Sequence, residues 1–281
     1  MNMSGLPPVI EPIMNDYISL VHNQLPEVLE GMYLHGSIAL SAYEHGSSDI
    51  DFIAVLNRHL TPSELVTLSD IHKNVEKVHV KPELDGVYIL PEHIGLCQGK
   101  GENIQAVFFN EGELTTGEYF NFNPVTWYLF QEKGIAVLGE DISTYYVNVS
   151  INQVLSYVHD NMNTYWLGRL KWLEASVEEV KSLPAEVIES ELEWSVLGLL
   201  RQYYTMEESD IISKMGAGEY GLNRLSTEWH SIVKEAMNIR AGRTKRHFNS
   251  NEERITFMVR FMRYLIHHCN EYTYEKKDGN I

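Results

Sequence analysis

Two cysteines, Cys97 and Cys269, are all that the 281 residues contain. Two thiols so far apart make neither a disulfide framework nor a Cys-x-x-Cys metal site. A reducing cytoplasm is the compartment they fit. No run of about 18 apolar residues occurs, so no span of a membrane is expected. The opening residues, MNMSGLPPVIEPIM, lack a basic segment followed by an apolar one and do not read as a secretory signal. Basic charge is also scarce. Lys plus Arg number 22 against 39 Asp plus Glu, a formal net charge of −17. Such a surface repels polyanions, which argues against long duplex nucleic acid as a partner, and it draws cationic small molecules. Internal repeats and low-complexity tracts are missing, and nothing in the sequence specifies an oligomer.

What is present is ordinary in bulk and uneven along the chain. Hydrophobic residues make up 44% and charged residues 22%, as in folded soluble proteins. The length suits one large domain or two medium ones. Residues up to about 147 mix short β-branched runs with Gly and Pro breaks. Strands are expected at Gly31 to Leu34, Asp51 to Leu56, Gly86 to Leu90, Ala106 to Phe109 and Ile135 to Leu138. Helices are expected near Pro12 to Asn23 and from Thr61, where Pro62 and Glu64 complete a capping box. After Tyr146 the period changes. Ser150 to Gln153 reads as a capping box, and Ile151, Val154, Leu155, Val158, Met162, Tyr165 and Trp166 form a helical stripe. Trp194 to Tyr204 continues in that style. So does Ile255 to Ile266, with Ile255, Met258, Val259, Met262, Leu265 and Ile266 on one face. Two domains follow as an expectation, residues 1–147 and an all-helical bundle over 148–281.

One stretch of the first half carries chemistry: YLHGSIALSAYEHGSSDIDFIAVL, Tyr33 to Leu56. Gly36 lets the chain turn sharply behind a strand. Ser37 then opens a segment, Ile38 to Tyr43, that can be helical. A Ser hydroxyl and free N–H groups at a helix start suit phosphate. Asp49 and Asp51 follow a loop, and alternate residues of a strand face one side. Their carboxylates therefore point together while Ile50 and Phe52 enter the core. Adjacent carboxylates repel, and a divalent cation resolves the conflict. Oxygen-only ligands favour Mg²⁺ or Mn²⁺ over zinc. Alone, Asp-x-Asp is a common solvated turn. The order strand, Gly-Ser, helix, loop, Asp-x-Asp, strand is what implies a metal-chelated nucleoside triphosphate.

That order resembles the nucleotidyltransferase superfamily of the DNA polymerase β type, and the wording is especially similar to the AadA-type aminoglycoside adenylyltransferases. The resemblance implies an α+β fold: a polymerase β-like domain with a mixed sheet, followed by an all-helical domain. It also implies a third acid just before a short apolar strand, which assists the metal or takes the hydroxyl proton. In Lys81 to Leu90 the candidates are Asp85, which opens the strand, and Glu83, two residues earlier.

A second resemblance lies in the helical half, in Glu191-Leu-Glu-Trp-Ser-Val-Leu-Gly-Leu-Leu-Arg-Gln-Tyr-Tyr204 and Ile211-Ile-Ser-Lys214. Arg201 and Lys214, 13 positions apart, fall on the family's ATP-contacting Arg and Lys. Glu191 falls on an acid that contacts the cationic drug. The chain departs from the family in having Gly218-Glu-Tyr220 for Ala-x-x-Trp, and Glu191 and Glu193 for Asp-Glu. The likeness spans Tyr33 to Gly242.

The resulting expectation is an ATP- and Mg²⁺-dependent O-adenylyltransferase acting on spectinomycin or streptomycin. Gly36, Ser37, Arg201 and Lys214 bind ATP, with Asp49, Asp51 and Asp85 as metal and catalytic carboxylates. ATP is expected across Ser37, Asp49 and Asp51, with Arg201 and Lys214 closing from the other side. The same motifs would serve another acceptor, a lincosamide or a protein side chain. They would also serve a nucleotide-binding toxin–antitoxin module without catalysis, against which the retained carboxylates argue. Other clusters carry less. His267, His268 and Cys269 diverge around a helix and share no ligand face. Arg240, Arg243, Lys245 and Arg246 form a basic cluster that reads first as a solvated loop and second as one reaching the triphosphate; the five tryptophans read as core, with any near the cleft able to stack on base or sugar.

Overall fold

The structure, a computed structural model, describes residues 5–97 and 104–278, with side chains through residue 271. The chain divides into two compact units, Met1–Ser150 and Ile151–Ile281.

The first unit begins with α1, Ile10–Gln24, whose Ile10, Ile13, Met14, Tyr17, Ile18 and Val21 are buried at helical spacing. Then come β1 (Leu29–Leu34), α2 (Gly36–Ala39) and β2 (Ile50–Leu56). Helix α3, Pro62–Val78, starts with the expected capping box: Thr61 and Glu64 exchange side-chain and backbone hydrogen bonds. The remaining elements are β3 (Leu84–Ile89), β4 (Gln105–Asn110), β5 (Glu113–Glu118), α4 (Pro124–Lys133) and β6 (Ile135–Leu138). The six strands form one sheet in the order β5-β4-β3-β2-β1-β6. It is mixed. β2 and β3 run parallel, joined by the crossover helix α3, and the other pairs are antiparallel. Side chains of α1 and α3 pack with Phe52, Ala54, Leu84 and Tyr88 in one core cluster. Asp51, Val87 and Ile89 therefore belong to the opposite face.

Two expectations need correction here. The helix behind Ser37 stops at Ala39 rather than running to Tyr43. Ser41 takes φ +53°, its N–H bonds Ile38 O at 3.0 Å, and Ala42 N–H bonds Ser37 O at 2.9 Å. That paired pattern closes a helix after a single turn. Strand β5 was not foreseen. It lies at the sheet edge, with mostly exposed residues and one aliphatic side chain in ELTTGE, so it carries no apolar period.

The second unit contains α5 (Ile151–Asn161), a π-helical turn at Met162–Trp166, α6 (Leu167–Ala175), α7 (Val177–Lys181), α8 (Ala185–Glu208), α9 (Lys214–Arg224), α10 (His230–Arg240) and α11 (Asn251–Asp278). Helix α8 is central, packing against α9, α10 and α11. The predicted face of α11, Ile255 through Ile266, is buried throughout. In the stripe beginning at Ile151, Val154, Val158, Met162 and Trp166 are buried, Ile151 and Leu155 are half-buried, and Tyr165 is 45% exposed. The π turn inserts an extra residue per turn there and rotates the stripe. Among the described residues, no helix is long and apolar enough to cross a membrane.

Candidate active site

The Gly-Ser turn is built against Asp51. His35 N–H donates to Asp51 O at 3.0 Å, which keeps the chain laced to β2 as β1 ends. Gly36 then adopts φ +59°, and a Cβ placed there would fall 1.8 Å from Asp51 Oδ2. Only glycine lets the backbone lie on that carboxylate. The next side chain, Ser37, has its hydroxyl buried without a hydrogen-bond partner.

Asp51 and Asp85 are direct cross-strand partners in the parallel β2–β3 pair. Asn110 Nδ2 donates to Asp85 Oδ2 at 3.3 Å, while Asp85 Oδ1 is buried with no partner. Burial, followed by the charges of Asp51, Asp49, Glu111 and Glu83, pushes the Asp85 carboxyl up to about 7. Asp49 lies one residue before β2 and is exposed. Glu83 is paired with Lys81 at the surface. Of the two sequence candidates for a third acid, Asp85 is the one in register with Asp51.

The oxygen-only donor set fits a hard divalent cation, and the orphaned Asp85 oxygen beside Asp51 is the observation behind that fit. Among the described residues, no group of three or more His, Cys, Asp or Glu side chains is gathered to hold a metal unaided.

Sequence reasoning missed three neighbours of this site. Asn110 precedes a two-residue hairpin turn, Glu111 at φ +51° and Gly112 at φ +78°. Tyr119 follows β5, is 2% exposed, and has its phenol pKa raised by burial and by Asp85 and Asp51. His35 is buried, and burial lowers its pKa against the pull of Asp51. The Asn-Glu-Gly-Glu turn was a legible hairpin signal. Nothing local marks Tyr119.

In the second unit, Arg201 Nε donates to Ile212 O at 2.9 Å. Lys214 opens α9 behind Ser213, whose hydroxyl caps the helix by accepting from Gly216 N–H. Lys214 Nζ lies 3.2 Å from Glu193 Oε1, and Arg240 Nη1 lies 3.0 Å from the same oxygen. Arg240 thus leaves the basic loop it was grouped with, while Arg246 pairs with Glu189. Glu191 accepts from Arg169 Nε at 3.0 Å, from Arg169 Nη2, and from Ser195 Oγ at 2.9 Å. It lines a cleft of about 540 Å³ with Tyr165, Arg169, Glu186, Ser190 and Trp194. Trp127, Trp166 and Trp229 are core, but Trp172 is 45% exposed and sits under the Arg169 guanidinium at 4.7 Å.

A six-stranded mixed sheet with paired aspartates behind a Gly-Ser turn, followed by a helical unit, defines the nucleotidyltransferase fold. The comparisons agree. A crystal structure of spectinomycin adenyltransferase AAD(9) from Enterococcus faecialis, solved with ATP and spectinomycin, matches with a TM-score of 0.62 at 15% identity. The match covers 90% of this chain and 99% of that one. Residues 168–264 match the family model for the aminoglycoside adenylyltransferase C-terminal domain. The likeness to the AadA-type aminoglycoside adenylyltransferases, first read from the motifs, is borne out by both matches. No curated protein matches the sequence.

Proposed function

We propose that this chain transfers AMP from ATP to a hydroxyl of a cationic aminocyclitol or aminoglycoside, spectinomycin or streptomycin, and releases pyrophosphate. One observation carries the reading. Two buried polar atoms lack partners, Asp85 Oδ1 on the strand position paired with Asp51 and Ser37 Oγ one residue after the Gly36 that lies on the Asp51 carboxylate, and leaving such atoms unpaired is costly without a ligand. The spectinomycin complex of the structurally similar enzyme supports the choice of acceptor class.

Asp51 and Asp85, with Asp49 as a further carboxylate at the head of β2, would hold Mg²⁺ together with nucleotide phosphates, since magnesium commonly takes one or two carboxylates plus substrate phosphates. When bound, the ion neutralises charge on the phosphates. Ser37 Oγ donates to a phosphate oxygen. Arg201 and Lys214 supply positive charge to the polyphosphate. Asp85 takes the proton of the acceptor hydroxyl as its oxygen forms a bond to the α-phosphorus and the bond to pyrophosphate breaks. Glu191 offers its carboxylate to an ammonium group of the antibiotic.

The test is pyrophosphate release from purified protein with ATP, Mg²⁺ and, separately, spectinomycin, streptomycin, kanamycin or lincomycin. Turnover is expected with spectinomycin or streptomycin and lost in Asp51→Asn. Turnover with lincomycin alone, or full activity in Asp51→Asn, refutes the reading.

A further inference from the structure

The fold collects cations from three helices at one point of the second unit. Arg201 comes from the body of α8, Lys214 from the start of α9 and Arg240 from the end of α10. Arg240 and Lys214 converge on the Glu193 carboxylate, with Oε1 at 3.0 and 3.2 Å. Burial depresses the Lys214 pKa, Glu193 pulls it back up, and the nearby Arg240 and Arg201 charges push it down. The Arg201 fork is fixed in direction by its bond to Ile212 O.

The surroundings hold Arg240 in place. Asn238 O accepts from Arg243 N–H at 2.8 Å and Ile239 O from Gly242 N–H at 3.0 Å, closing α10 immediately after Arg240. The following loop is pinned by Arg246 to Glu189 and by His247 N–H to Glu235, a fully buried carboxylate that also holds Arg254. A cation near a helix C-terminus is favourable in itself. That effect does not explain why two cations meet on one carboxylate, Arg240 on Oε1 and Lys214 across both oxygens, with a third close enough to repel. Clustered cations destabilise a fold, and a polyanion is the ligand that reverses the penalty.

We propose that Arg240 is a third polyphosphate-binding cation beside Arg201 and Lys214, and that Glu193 is the counter-ion that occupies the cluster until polyphosphate displaces it. The proposal rests on the reading that Arg201 and Lys214 meet the nucleotide. Phosphate oxygens would take over the hydrogen bonds that Glu193 now accepts. Glu193→Gln therefore removes a competitor while keeping the shape.

The experiment measures binding of inorganic tripolyphosphate to the full-length protein by calorimetry. Arg240→Gln should weaken it about tenfold, and Arg240→Lys should restore part of the loss. Glu193→Gln should tighten it about threefold or more. Thermal unfolding of each variant confirms folding, and Arg240→Lys keeps the test open if Arg240→Gln does not fold. If Arg201→Gln and Lys214→Gln weaken binding but neither Arg240 variant does, the third-cation assignment is wrong and the nucleotide reading survives. If no variant changes binding, the nucleotide reading of this unit fails. Weaker binding in Glu193→Gln makes Glu193 a brace for the cations and overturns its displacement.

Discussion

Asp51 and Asp85 stand side by side on parallel strands, and the Asp85 carboxyl absorbs the conflict with its pKa pushed up to about 7. In the unfolded chain the same carboxyl titrates near the ordinary aspartate value of 3.8. The folded state therefore holds the extra proton between those values. Stability from this group is full below about pH 4 and is lost as pH rises through about 7. Asp85→Asn keeps the shape and removes the titration. Allowing for partial solvent access, the stability of wild type relative to the variant should fall by about 2 kcal/mol between pH 4 and pH 8. The variant should be inactive. Urea unfolding at the two pH values measures the difference, and equal losses in both proteins would remove the repulsion from the account.

Mg²⁺ should reverse that penalty. A cation bound by Asp51 and Asp85 stabilises the folded state in proportion to its occupancy, by about 2.7 kcal/mol at one hundred times its dissociation constant. With ATP present, 10-fold steps in Mg²⁺ should raise the melting temperature of wild type and leave that of Asp51→Asn nearly flat. A rise of equal size in both would place the ion elsewhere.

Gly36 is predicted to tolerate no side chain. Its φ of +59° disfavours any L-residue, and a Cβ would meet Asp51 Oδ2 at 1.8 Å. Either the turn or the carboxylate must move. Backbone strain of this kind costs about 1–3 kcal/mol. A 1 Å misplacement of a reacting group can cost about 100-fold in rate. Gly36→Ala should thus lose stability modestly and kcat by about 100-fold or more. Wild-type kcat in that variant would show that Asp51 need not be held against the turn.

How far the sequence reached depended on whether the signal was local. The Gly-Ser and Asp-x-Asp elements lie within one stretch, and strand alternation alone put Asp51 opposite the face that carries Phe52. The capping box at Thr61 was equally legible, because its two residues are three apart. The register that sets Asp85 rather than Glu83 beside Asp51 is a property of two strands separated by a helix, and no spacing rule encodes it. Tyr119 reaches the carboxylates only because an edge strand with little apolar content returns the chain there. Arg240 looked like loop charge in sequence, where its neighbours are Arg243 and Lys245. Three-dimensional packing of α10 on α8 gave it Glu193 instead.

Glu191 offers a test of acceptor recognition. Its carboxylate already accepts from Arg169 and Ser195, so an incoming ammonium must share or displace those donors. Glu191→Gln should raise KM for spectinomycin about tenfold, as expected for one charge-assisted contact, and leave KM for ATP unchanged. Parallel changes in both KM values would instead indicate a distorted α8.

A second buried titrating group opposes Asp85, and the pair can be separated by experiment. His72 on α3 stacks on Phe109 with ring centroids 3.7 Å apart, and its Nε2 shares a 2.5 Å hydrogen bond with the Tyr88 hydroxyl. Burial lowers its pKa from 6.5 to about 3. The unfolded chain then binds the proton first as pH falls. Stability from neutral His72 is present above about pH 6.5 and is lost on the way down to about 3. Asp85 acts in the opposite sense over an overlapping window, so wild type should show a shallow pH dependence. Removing Asp85 exposes the histidine slope. Asp85→Asn should lose about 1.6 kcal/mol between pH 6.5 and pH 5, below the limit of about 1.36 kcal/mol per pH step for one proton because the unfolded histidine is half protonated at pH 6.5. Adding His72→Gln should flatten that loss. Urea midpoints at pH 5, 6.5 and 8 for wild type and the two variants decide it. A slope that persists in the double variant assigns the acid sensitivity to other groups.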